Sequence, residues 1–248
     1  MTILFYPESL RANCRLYYTC KKLGVSFHND PFRFYDLMFY WSYHKTTCPQ
    51  PELIKSSSCV NKGCFDVTKT RVSEIFDDIR VNPEVYVGKV VRKSERQCGM
   101  DERLLTCPTK KEDSFIYRKF IDTRVNGKFV DYRLFYFGGD CFLVSKINRG
   151  EMFSKKDFEW GLETLTILPE GRLEEIYKSC QKFGLDFGEI DLLKDEKGKF
   201  YVIDINNVAG IARSWRTAEL RQIRELYQRM FTNFLKKRVN GNISITLP

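Results

Sequence analysis

A chain of 248 residues supplies one large domain or two or three small subdomains sharing a cleft. With 43% hydrophobic and 29% charged residues it has the balance of a globular protein, and no run approaches the roughly 20 apolar residues that span a bilayer. The formal net charge of +9 would draw an anionic ligand, yet Lys and Arg are spread along the whole chain rather than gathered in a nucleic-acid-binding tail.

The N-terminus reads as a buried strand from Ile3 to Tyr6, with no basic lead-in of the kind that marks a secretory signal. Ser9 then suits the cap of a helix reaching about Leu23, and Val25 to His28 is a short strand. Thr46 to Ser58, with Pro49, Pro51 and three consecutive serines, reads as a linker. From Asp66 to Ile79 the apolar residues Val67, Val72, Ile75, Phe76 and Ile79 fall at helical spacing. Val85 to Lys93 alternates as a strand, and a polar loop, Ser94 to Arg103, follows it. Ser114 to Asp122 is a further strand, and Asp131 to Phe137 and Cys141 to Ile147 form a hairpin about Gly138-Gly139. Leu173 to Phe183 predicts a helix closed by Gly184, and Phe187 to Leu193 and Phe200 to Ile205 predict paired strands. Thr217 to Arg238 carries the stripe of one long amphipathic helix. The high aromatic content, 20 Phe and 13 Tyr, is read first as core. Nine cysteines show no CxxC pair, and with only His28 and His44 to assist them they do not compose a zinc site; they fit the reduced thiols of a cytoplasmic protein.

The chemistry concentrates between Phe187 and Gly210. Asp204 and Asn206 are two apart on a strand and project from one face, while the hairpin brings Asp191 alongside. A carboxylate in an apolar strand is costly without a partner, and hard oxygen donors of this kind suit Mg²⁺. Taken alone, Asp204 and Asn206 also fit the opening of a loop after a strand end.

Together the two strands resemble the metal-binding end of the ATP-grasp superfamily, which carries an acidic residue on one strand and an acid-x-Asn pair on the next. The stretch is most similar to the branch of glutamate-adding ligases of ribosomal-protein tails, with glutathione synthetase and D-alanine–D-alanine ligase more distant. That branch runs on into a small residue, Pro and Gly, whereas this chain reads Asn207-Val208-Ala209-Gly210. The resemblance extends back through Asn61 to Lys69 and Val90 to Lys93, implying that Lys69 and Lys93 reach the nucleotide phosphates. Ser94 to Arg103 stands where the family has a glycine-rich flap, here with Gly99 alone. Arg118, Lys119, Phe120 and Ile121 match the hinge whose backbone meets adenine, and Asp122 would lie near the ribose. Asp131-Tyr132-Arg133 resembles an Asp-x-Arg motif, and Arg149 matches a second arginine. A guanidinium fork is suited to a transferred phosphoryl group. Read as residues alone, Lys69, Lys93 and Arg149 are also ordinary surface charges.

The resemblance implies an α/β (α+β) ATP-grasp fold, two small α+β subdomains clasping ATP after a short α/β N-terminal unit. The units would be residues 1–58, 59–122 with the nucleotide lysines, and 123–248 with the metal site and C-terminal helix. It implies a ligase using ATP and Mg²⁺, with Mn²⁺ as a substitute, that joins a carboxylate to an amine through an acyl-phosphate. In that scheme Arg133 and Arg149 are catalytic and Asp191, Asp204 and Asn206 hold the metal. The same site would serve a kinase with a hydroxyl acceptor, and the basic charge leaves a nucleotide- or nucleic-acid-binding protein without turnover as a third reading. Arg11, Arg15 and Trp215 are candidates for the acceptor side.

Overall fold

The computed structural model describes residues 1–43, 51–56, 58–95, 101–148, 158–208 and 220–239. They build three sheets. In the first, β1 (Thr2–Pro7), β2 (Ser26–His28), β3 (Leu37–Trp41) and β4 (Cys59–Val60) run in the order β2-β1-β3-β4, all parallel. Its central strands β1 and β3 are buried on both faces, so alternate residues enter different cores. Ile3, Phe5, Phe39 and Trp41 enter one core, and Leu4, Tyr6, Met38 and Tyr40 enter another. The helix expected from Ser9 begins later, as α1 (Arg15–Lys22), because the Cys14 sulfur accepts from the Tyr17 N–H and serves as the cap. The expected linker contains a helix, α2 (Pro51–Ser56), whose Ile54 is fully buried.

Helix α3 (Lys69–Ile75) is shorter than the apolar spacing suggested. The Thr68 hydroxyl accepts from the Arg71 N–H and fixes its start, while Ile79 and Arg80 leave to pair with a second, antiparallel sheet. That sheet is β6 (Arg103–Cys107), β5 (Gly88–Ser94) and β7 (Phe115–Lys119), in that order. Residues 85–87 turn rather than extend, the Tyr86 N–H donating to the Asn82 carbonyl.

The largest sheet is antiparallel: β11 (Phe158–Glu163), β10 (Asp140–Asn148), β9 (Lys128–Phe137), β12 (Phe187–Lys194) and β13 (Phe200–Asn206), with β8 (Arg124–Val125) against β9. The β9–β10 hairpin turns at Gly138 and Gly139, both at positive φ. One face places Leu134, Tyr136, Leu143, Ile190, Leu192 and Ile205 under α4 (Arg172–Phe183), which Gly184 closes at φ 77°. On the other face Phe135, Phe137, Phe142 and Phe187 meet the first sheet and α5 (Arg221–Arg238). There the aromatic content is spent: Phe135 stacks on Phe142 at 4.7 Å, and Phe187 meets Phe39 edge-on at 5.6 Å. α5 begins four residues after the expected start, Thr217, and residues 209–219 lie outside those described.

Asn61 fastens the first sheet to β12. It lies at φ 63°, and its Oδ1 accepts from the Asp186 and Phe187 N–H groups at 2.8 and 2.9 Å, while Nδ2 donates to the Phe187 carbonyl at 2.8 Å. Beside it Gly63 and Gly184 approach so closely that a Cβ on Gly184 would lie 2.6 Å from the Gly63 Cα.

Candidate active site

The aromatic face of the large sheet changes character along its strands. Two to four residues along the strands from Phe135 and Phe187 it carries Asp131 and Arg133 on β9 and Glu189 and Asp191 on β12, flanked by Lys146 on β10 and by Asp204 and Asn206 on β13. Register places them side by side: Asp191 opposite both Arg133 and Asp204, Lys146 opposite Asp131, and Glu189 opposite Asn206.

Arg133 binds two carboxylates at once. Its Nε and Nη2 donate to Asp191 Oδ1 and Oδ2 at 2.7 and 3.1 Å, and its Nη1 donates to Glu189 Oε2 at 2.6 Å. The same Glu189 oxygen accepts from Arg15 Nη2 at 3.3 Å, so α1 contributes a cation to this face. Asn206 Nδ2 donates to Asp191 Oδ2 at 3.3 Å. Burial would raise the Asp191 carboxyl, but Arg133, Lys146 and Lys93 outweigh it and hold the group at about 2. Burial would likewise lower Arg133, and Asp191 and Glu189 overcome it in the upward direction. For Lys146, burial prevails, reinforced by the like charge of Arg133, and its ammonium is pushed down. Burial also raises Asp131.

The small sheet forms the facing wall. Lys93 on β5 pairs with Glu102, and the charges of Asp204 and Glu102 raise its pKa against the pull of burial. Arg118 on β7 reaches across: Nη1 donates to the Ile203 carbonyl at 2.5 Å, Nη2 to the Lys69 carbonyl at 2.7 Å and to Ser73 Oγ at 3.1 Å. Ile203 is free to accept because the β12–β13 ladder shifts register there, passing from Asp204 to Val202. Lys69 is buried at the start of α3, and its N–H donates to Glu95 at 2.8 Å. In the expected hinge, the Lys119 and Phe120 N–H groups donate to the Ile79 and Lys89 carbonyls, and the Asp122 carboxylate turns outward to Arg124. Ile121 follows, outside any strand. Arg149 and Trp215 lie outside the described residues, as does His44; His28 Nε2 sits 3.0 Å from the Phe34 carbonyl oxygen.

Thus Asp191, Asp204, Asn206 and Arg133 share one face, with Lys93 opposite. Reading the sequence missed Glu189 and Lys146, whose charged neighbours Arg133 and Asp131 lie across strands on β9. No three His, Cys, Asp or Glu side chains converge as a metal cluster among the described residues. The donor set is two carboxylates and one amide oxygen. That fits Mg²⁺, which ordinarily takes one or two protein carboxylates and completes its shell with phosphate and water.

No family model matches the chain, and no curated protein matches it in sequence. Solved structures do. The ATP-grasp ligase PsnB, complexed with a phosphomimetic variant of its minimal precursor, Mg and ADP, superposes with a TM-score of 0.60 at 11% identity, covering 94% of this chain and 98% of that one. D-alanine–D-alanine ligase from Bacillus anthracis gives 0.58 at 10% identity, with 96% of each chain covered. The macrocyclase MdnC from Microcystis aeruginosa MRC, bound with precursor peptide MdnA, gives 0.51 at 13% identity over 92% and 97%. The chain has the ATP-grasp fold, an α/β architecture of several small sheets.

Proposed function

We propose that this protein is an ATP- and Mg²⁺-dependent ligase that joins a carboxylate to an amine through an acyl-phosphate. The observation that carries the reading is the convergence of Asp191, Asp204 and Asn206 on one sheet face, with Lys93 on the wall opposite. The ATP-grasp fold shared with PsnB and D-alanine–D-alanine ligase supports it.

In this reading residues 59–122 hold the nucleotide. Lys69 and Lys93 neutralise its phosphates, and the backbone from Arg118 through Lys119, Phe120 and Ile121 to Asp122 borders the base and ribose. Residues 123–248 hold the cation on Asp191, Asp204 and Asn206. Bound there, Mg²⁺ supplies charge neutralisation to the β- and γ-phosphates. The acceptor carboxylate attacks the γ-phosphorus and ADP leaves; an amine then displaces phosphate from the acyl carbon. In this reading Arg133, Arg149 and Lys146 stabilise charge on the transferred phosphoryl and the tetrahedral oxyanion. Residues 1–58 border the acceptor side, from which Arg15 reaches Glu189.

A matrix of carboxylic acids, short peptides and amines, read by ADP release, tests this. ADP formation that requires both an acid and an amine is the expected result. ADP formed with a hydroxyl compound alone identifies a kinase. Salt-sensitive oligonucleotide binding without ATP turnover identifies a nucleic-acid-binding protein.

A further inference from the structure

Arg133 does not wait in solvent for a phosphate. Its fork lies side-on across both oxygens of Asp191, at 2.7 and 3.1 Å, while its remaining nitrogen stays on Glu189 at 2.6 Å. Asn206 turns its amide nitrogen, rather than its oxygen, toward Asp191 at 3.3 Å. Asp191 therefore accepts from a guanidinium and from an amide N–H, and Asn206 faces it with a donor in place of an acceptor. A divalent ion next to Asp191 would also face the guanidinium charge at close range, where repulsion is weakly screened. Glu189 is the unusual element. It is a buried carboxylate, 2% exposed, two residues before Asp191 on the same face, and Arg15 approaches its Oε2 from α1. An arginine anchored by two carboxylates can release one and remain neutralised by the other.

Resting on the reading that Asp191 is a cation ligand, we propose that Arg133 occupies the divalent-cation position until nucleotide arrives, and that Glu189 is the positioning residue that receives it. The guanidinium stays paired with Glu189 as it lets go of Asp191, and Asn206 reverses its amide to present oxygen. Free cation is thereby refused, and cation accompanied by polyphosphate is admitted, because the phosphate charge offsets the guanidinium that a bare ion would meet.

The test is Mn²⁺ binding, followed by the electron paramagnetic resonance signal of the free ion, with and without a non-hydrolysable ATP analogue. In the native protein, Mn²⁺ should bind at least about tenfold more tightly with the analogue than without. R133M should raise the nucleotide-free affinity by about tenfold, and E189Q should lower the analogue-dependent affinity by a similar factor, because Arg133 then has no second carboxylate. In Mn²⁺ affinity the double variant should behave as R133M does, since Glu189 reaches the cation position through Arg133 while its pairing with Arg15 lies on the α1 side. Unchanged nucleotide-free binding in R133M, or an additive double variant, overturns the proposal. If R133M does not fold, E189Q decides alone, and unchanged analogue-dependent affinity in that variant overturns it. Absence of Mn²⁺ binding in the native protein with the analogue present instead removes the metal assignment itself.

Discussion

Arg118 donates to the carbonyl of Ile203 at 2.5 Å, the one residue that the shifted register of β12 and β13 leaves without a cross-strand partner. The bulge frees an acceptor next to Asp204, and the small sheet supplies the donor that fills it. Because the same guanidinium also holds the Lys69 carbonyl, one side chain ties the small sheet to both α3 and β13.

R118M would take away the donor to the half-buried Ile203 carbonyl and the second donor to the Lys69 carbonyl at the start of α3. A loss of about 2–4 kcal/mol in urea unfolding is expected, together with weaker binding of an ATP analogue by calorimetry. R118K keeps the charge but not the fork, and should recover only part of either quantity. Native stability in R118M would show that the two walls do not depend on this contact.

Gly184 both ends α4 and touches Gly63 backbone to backbone. Alanine there must hold φ near 77° and place its Cβ 2.6 Å from the Gly63 Cα. A cost of about 2–3 kcal/mol is expected, measured by chemical denaturation. Gly198, at φ 84° with its nearest neighbour the tip of Lys194 at 4.0 Å, is the control: alanine there should cost only about 1 kcal/mol. Equal losses at both positions would mean that left-handed backbone strain, and not the close approach, sets the penalty.

Asp204 accepts a hydrogen bond from the neighbouring Ile205 N–H, at 3.2 Å, and is partly exposed. Asp204→Ala removes a carboxylate facing Lys93, Arg118 and Arg133 and no buried hydrogen-bond network, so the protein should remain folded with its thermal midpoint lowered by several degrees at most. It should nonetheless reduce Mg²⁺-dependent ATP turnover by at least about a hundredfold, as expected for removal of a group that stabilises transition-state charge. Undiminished turnover would remove Asp204 from the metal site.

How far the sequence reveals this arrangement depends on locality. The β9–β10 hairpin, α4 and the β12–β13 pair announce themselves through glycine turns and short-range periodicity, and from them the Asp191, Asp204 and Asn206 face follows. Strand β3 does not, because both faces of Leu37–Trp41 are buried and no alternation survives. Glu189 and Lys146 are equally silent. A charge within a strand has meaning only through its partners, and those of Glu189 lie on β9 and α1. Arg118 reads as part of a backbone hinge, since its guanidinium finds its purpose only at a bulge 85 residues away.

Lys146 and Lys93, both half-buried, should titrate in opposite directions. Burial, then Arg133, lowers Lys146, whereas Asp204 and Glu102 raise Lys93 against burial. With lysines reductively ¹³C-methylated, the Lys146 resonance should titrate below the bulk of the lysines and that of Lys93 above them. K146M and K93M assign the peaks. Coincident titration would mean that neither environment is as closed as the hydrogen bonds imply. Lys146 should accordingly be acylated preferentially at mildly alkaline pH, where its neutral form is enriched.

Asp191 provides the pH test of the central ion pair. Its carboxyl is held at about 2, below the ordinary 3.8, because Arg133, Lys146 and Lys93 outweigh burial. A carboxyl that is more acidic in the folded chain than in the unfolded one stabilises the fold above the unfolded value. That contribution fades as pH drops from about 4 through about 2, once protons bind the unfolded chain first. The contribution is about 2 kcal/mol. D191N lacks the titrating group, so its stability, measured by urea unfolding between pH 5 and pH 2.5, should fall less steeply than that of the native protein. Most of the difference between the two curves should vanish toward the acid end. Parallel curves would show that Asp191 carries no excess acidity, and with it the pairing to Arg133 that keeps the cation position filled would be lost.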